Sequence, residues 1–264
     1  MACYVIGSLL LFIAVDVFDL WGSRAVLVAS PLHEPIVWYL LHWEGHFTEW
    51  LQWALQGAFI AVSARNSELA RSAGSQVSQR FWTTMSVLGV LLLIEDAGNA
   101  RHVIAHYTVL LSGDPVMRLA AELVFYLILG AVALYGLMIH FAAIRPSPTS
   151  KRYMIAGTVA YGSIGLASAT RRVGDWYSGL GDYIRWQLFD GRLIPLEYRH
   201  PLYPEQDATS FYLVDQAIEE PIELIAIALL VSAALTYLHE ARSDPQVFVV
   251  PDGLWSRKSL LRRG

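Results

Sequence analysis

The stretch Gly89–His106, GVLLLIEDAGNARHVIAH, decides the reading of this chain, because it carries an apolar, membrane-grade run straight into a dense polar one. Continued at helical spacing, Glu95, Asn99, His102 and His106 are offset by 4, 7 and 11 residues and share one face. A carboxylate entering a hydrocarbon-facing helix is expensive unless a partner, a proton or a metal ion accompanies it. Any chemistry of this protein is expected at that level of the helix.

The composition agrees with a membrane setting. Of 264 residues, 55% are hydrophobic and only 16% charged, with a mean hydropathy of +0.41, well outside the soluble globular norm. The net charge of −4 says less than how the charges are sorted along the chain. One cysteine, Cys3, excludes an internal disulfide framework and a cysteine-rich metal site. The first segment has no basic leader and carries Asp16 and Asp19 where a signal peptide would finish, so it is expected to be a membrane helix. No Walker sequence, glycine fingerprint or nucleophile elbow is present, which argues against nucleotide binding. Nothing points to a nucleic-acid partner.

Working outward, six apolar segments are long enough to span a bilayer or nearly so, at about 3–20, 36–64, 81–105, 117–144, 153–172 and 214–239. Arg65, Arg71 and Arg80 fall between the second and third, and Arg145, Lys151 and Arg152 between the fourth and fifth. Arg257, Lys258, Arg262 and Arg263 lie in the tail. The positive-inside rule makes these regions cytoplasmic. The expected fold is therefore all-α: a polytopic integral membrane protein of the cell (plasma or inner) membrane, a six-helix bundle with both termini cytoplasmic. Residues 1–240 form its transmembrane domain and 241–264 a basic tail that touches anionic lipid. Residues 173–213, rich in Trp and Tyr among mixed charges, are expected to form an outer cap containing an interfacial amphipathic helix.

Measured from the cytoplasmic boundary, Glu49 is 16 residues from Arg65, Glu95 is 15 from Arg80, and Glu223 is 16 from His239. At 1.5 Å per residue that is roughly 23 Å into a layer of about 30 Å, so the three carboxylates are expected to share a level below the outer surface. His42, His46, Glu49, Trp53 and Gln56 form a stripe on the second helix, and Gln216, Glu219, Glu220 and Glu223 mark the sixth. Carboxylates and imidazoles without thiolates suit iron, manganese or zinc. The expected ligands are His46, Glu49, Glu95, His102, Glu220 and Glu223, with Glu219 or Asp96 as the proton acceptor. Four carboxylates and two histidines match the ligand complement of di-iron carboxylate bundles. Those bundles use Glu-x-x-His, whereas here His46-x-x-Glu49 is reversed and Glu95 stands seven residues before His102, so no family resemblance is drawn.

Three functions follow from this layer. A metal centre would make the protein an oxidoreductase or a metal-dependent hydrolase acting on a small or lipid-soluble substrate. The same carboxylates would serve a proton- or cation-coupled transporter or channel, although the inner helical halves show few polar residues. Haem b between His42 or His46 and His102 or His106 ranks below these. A non-catalytic subunit of a membrane complex, or a homo-oligomer, remains the structural alternative. Arg171 and Arg172, with Arg101, would instead make the acidic layer a salt-bridge network that needs no metal.

Overall fold

A computed structural model describes residues 1–22, 41, 46–114, 116–171, 173–193, 209–244 and 247, and every regular element among them is helical. In chain order these are α1 (Ala2–Phe12), α2 (Phe47–Ser72), α3 (Gln76–Asp96), α4 (Ala100–Ser112), α5 (Val116–His140), α6 (Pro148–Thr170), α7 (Trp176–Tyr183), α8 (Thr209–Val214) and α9 (Glu220–Ser243). Three helical stretches are long and apolar enough to cross a membrane: Gln76–Asp96, Val116–Met138 and the run Thr209–Ser243 that joins α8 to α9. At 26 and 23 residues α2 and α6 have the length, but Gln52 and Gln56 in α2, and the many Gly, Ser, Thr and Tyr residues of α6, keep them out of that class.

The chain packs as two compact units. One comprises Met1–Gln52 and Ala160–Ile225, the other Trp53–Val159 and Ala226–Gly264. The core of the first gathers Phe12, Val15, Val17, Leu193, Leu213 and Ala217, with Leu41, Ile184, Phe189 and Tyr212 packed against it. In the second, the α3 side chains Phe81, Trp82, Met85 and Leu88 are buried, and the Trp82 ring lies 4.8 Å from that of Tyr237 on α9. Two buried side chains tie α9 to its neighbours there: Asn66 Nδ2 donates to the Ala234 carbonyl at 2.9 Å, and Ser150 Oγ to that of Ala233 at 2.7 Å. Such interhelical hydrogen bonds let polar residues sit inside an apolar bundle.

The single helical face expected for Gly89–His106 is not formed. The α3 helix stops at Asp96 and α4 starts at Ala100, and Asn99 between them is left-handed at φ +47°. The physical reason lies in two residues. A Cβ on Gly98 would stand 2.5 Å from the Ile94 carbonyl oxygen, so only glycine fits there, and Asn is among the few side chains that tolerate the left-handed region. Glu95 thus closes one helix, while His102 and His106 belong to another.

Within the stretch expected to form an outer cap, Trp176–Tyr183 is helical, with Tyr177 and Gly181 buried and Tyr183 exposed. Residues 194–208 lie outside the described residues, as do His42, Arg172 and the tail from 248 on. The α7 and α8 helices meet at Gly181, where a Cβ would fall 1.8 Å from the Ser210 carbonyl oxygen. The contact is bolted by Ser210 Oγ donating to Asp182 Oδ1 at 2.5 Å and by Arg185 Nη1 donating to Ser210 Oγ at 3.0 Å. Replacing Gly181 by Ala forces α7 away from α8, an overpacking penalty of about 1–3 kcal/mol or more. Thermal unfolding in detergent is expected to show a clear loss for Gly181→Ala and almost none for Gly179→Ala, which has open space around it.

Candidate functional site

Asp215, Glu219 and Glu223 follow one another at four-residue intervals along the α8–α9 run, one of the three candidate membrane crossings. Asp215 and Glu219 are buried and Glu223 is half-buried. Their partners all come from the first unit. Arg171, just past the end of α6, donates through Nη1 to Asp215 Oδ1 at 2.6 Å, with both side chains about 7% exposed. Tyr177 on α7 donates its hydroxyl to Glu219 Oε2 at 2.5 Å. Gln52 on α2 donates through Nε2 to Glu223 Oε2 at 2.8 Å and lies 3.5 Å from the Tyr161 hydroxyl.

The row sits on an irregular backbone. The turn Asp215–Glu219 is π-helical and is followed immediately by Glu220-Pro221. Proline has no N–H to donate and its ring crowds the carbonyl four residues back, and a π turn is one way a helix accommodates that. The first unit holds two further π turns, Ile13–Val17 and Ile184–Leu188, and each likewise carries a buried charged residue, Asp16 and Arg185.

Electrostatically the row is unbalanced. The charged groups that bear on Glu219 are Asp215 and Glu223, both negative, and Arg171, positive. Tyr177 adds a donor but no charge: burial, and then the Glu219 carboxylate beside it, push its phenol well up, so it stays protonated. Among the described residues, then, the charges set against Glu219 are mostly negative.

The second unit treats its acids differently. Glu95 Oε1 accepts from Arg101 Nε at 2.7 Å, and the Arg101 guanidinium lies 5.1 Å from the Tyr126 ring centroid. Asp96 accepts from the Gln56 amide. Buried Glu122 pairs with Arg118 at 3.2 Å. Arg101 and Arg171, two residues of the salt-bridge alternative, are thus each paired with an acid.

The expected metal ligands divide between the two units. His46, Glu49, Glu220 and Glu223 fall in the first unit and Glu95 and His102 in the second, and Glu95 and Glu223 are engaged by Arg101 and Gln52. Among the described residues no three His, Cys, Asp or Glu side chains group as one metal ion would need. The two expected proton acceptors are likewise divided, Glu219 on Tyr177 and Asp96 on Gln56. Asp215 and Tyr177 were not among the expected site residues. The signal that would have found Asp215 is its four-residue spacing from Glu219 and Glu223 ahead of Pro221. Comparison with protein-family models, with curated proteins and with solved structures finds no match.

Breaking the Glu95–Arg101 pair tests its structural role. The side chains are 9% and 13% exposed, and removing one member of such a pair is expected to cost about 3–5 kcal/mol. Arg101→Met should lower the unfolding temperature sharply, and adding Glu95→Met should recover most of the loss. Equal loss in the single and double variants would show that the pair is not the cause.

Proposed function

We propose that this protein is a polytopic membrane protein that translocates a cation, the proton included, by way of Asp215, Glu219 and Glu223. The observation that carries the reading is the charge environment of Glu219: among the described residues two carboxylates and one guanidinium bear on it, and a neutral phenol donates to it. Ionisable residues inside apolar membrane helices mark ion and proton pathways. A structural network would be expected to close its charge within itself, as Arg118 and Arg101 do for Glu122 and Glu95 in the other unit.

In this reading α1, α2, α3, α5, α6 and the α8–α9 run are the six membrane crossings, with both termini and the basic connections on the cytoplasmic side. The relative polarity of α2 supports it. Gln52, Gln56, Ser63 and Asn66 are all buried on that helix, so polar groups continue into the half facing Arg65, where the sequence had suggested few. Helices that line an ion route carry such residues, and helices that face lipid do not.

Flux into proteoliposomes tests the proposal. Wild-type protein is expected to carry protons or alkali cations above the level of empty vesicles, and Glu219→Gln should reduce that flux at least tenfold. Wild-type vesicles as tight as empty ones to every one of these ions end the reading.

A further inference from the structure

The carboxylate row contains an oxygen that its surroundings leave unmet. Gln216 is 2% exposed, and its amide nitrogen donates to Asp215 Oδ2 at 3.1 Å, which puts the amide end at the row. Its Oε1 is buried and has no hydrogen-bond partner among the described residues. Buried acceptors are rarely left in that condition, and each such group calls for a proton donor or an ion.

Pro221 has no N–H to give to the carbonyls four and five residues back, those of Ala217 and Gln216. The π turn Asp215–Glu219 coincides with this break. Interrupted helices at membrane depth present carbonyls to alkali ions in this way, irregular backbone being tolerated there only where it lines a cavity or site.

We infer that the segment Asp215–Glu223 binds a monovalent alkali cation, sodium in the first place, through Gln216 Oε1, a backbone carbonyl at the Pro221 break and the Glu219 carboxylate. The inference rests on the cation-translocation reading and names its cargo. All the donors are oxygens, which suits hard cations rather than iron or zinc. The donor set mixes neutral oxygens with few carboxylates, and Asp, Glu, His and Cys side chains do not group in threes among the described residues, so a low ionic charge is matched better than a divalent one. The neighbours have defined parts. Arg171 neutralises Asp215, and Asp215 in turn holds the Gln216 nitrogen, which fixes which end of the amide is left for the ion. Tyr177 occupies Glu219 Oε2.

The test uses the full-length protein in detergent, titrated with sodium chloride against choline chloride at constant pH and ionic strength, with the unfolding temperature as readout. Sodium is expected to raise that temperature by several degrees, saturably. Gln216→Leu should abolish the rise, while Ser67→Ala, away from the row, should keep it. No sodium-dependent rise in the wild type overturns the inference, whether or not any variant folds, and so does an undiminished rise in Gln216→Leu. The two proposals fail separately. Cation flux in vesicles that ignores sodium, together with no thermal shift, removes the sodium site and leaves translocation standing. A sodium-specific shift with no flux of any ion does the reverse.

Discussion

The Arg171–Asp215 ion pair is the interaction on which the rest of the first unit depends. Two buried charges facing each other at 2.6 Å are costly to bring out of water, and their attraction offsets that cost only when the remaining polar atoms are also met. Asp215 meets the second requirement through the Gln216 amide, and the row continues one turn at a time to Glu219 and Glu223. Helix α7 is drawn in through Tyr177 and α2 through Gln52. Each helix thus has its position fixed by one directional contact to the same run, which is a stricter condition than apolar packing alone sets.

Much of the architecture was legible from the sequence. Apolar periodicity marked the helical segments, and the Trp/Tyr-rich outer stretch announced α7. The break after Asp96 was harder to see, because a helical period continues on paper through Gly98 and Asn99, and only the crowding against the Ile94 carbonyl shows why it stops. The common depth expected of Glu49, Glu95 and Glu223 is a statement about distance along helices. It carried no information about direction, and the partners that matter here, Arg101, Gln52 and Tyr177, come from segments that spacing along one helix cannot connect. Asp215 was within reach of the sequence, through its four-residue spacing from Glu219 and Glu223.

The π turns give the first unit a common local device. At Ile13–Val17, Ile184–Leu188 and Asp215–Glu219 an extra residue is accommodated in the turn, and each time a charged side chain is buried there, Asp16, Arg185, and Asp215 with Glu219. A widened turn redirects side chains relative to the regular helix on either side, which makes it a suitable place to aim a polar group that the helical period would send elsewhere. The second unit has no π turn among its described residues and keeps its charged pairs near helix ends, as with Glu95 and Arg118.

Helix α5 stands at the other extreme. Only 11% of its most apolar window is buried, against 50% for the α8–α9 run, and Leu127 and Met138 are 70% and 79% exposed. What holds such a helix across a bilayer is its partition into the acyl chains, with little owed to neighbouring protein. Its sequence is accordingly free to drift among aliphatic residues, whereas on the α8–α9 run even an isosteric change at buried Gln216 or Glu219 takes a hydrogen-bonding group out of a packed interior.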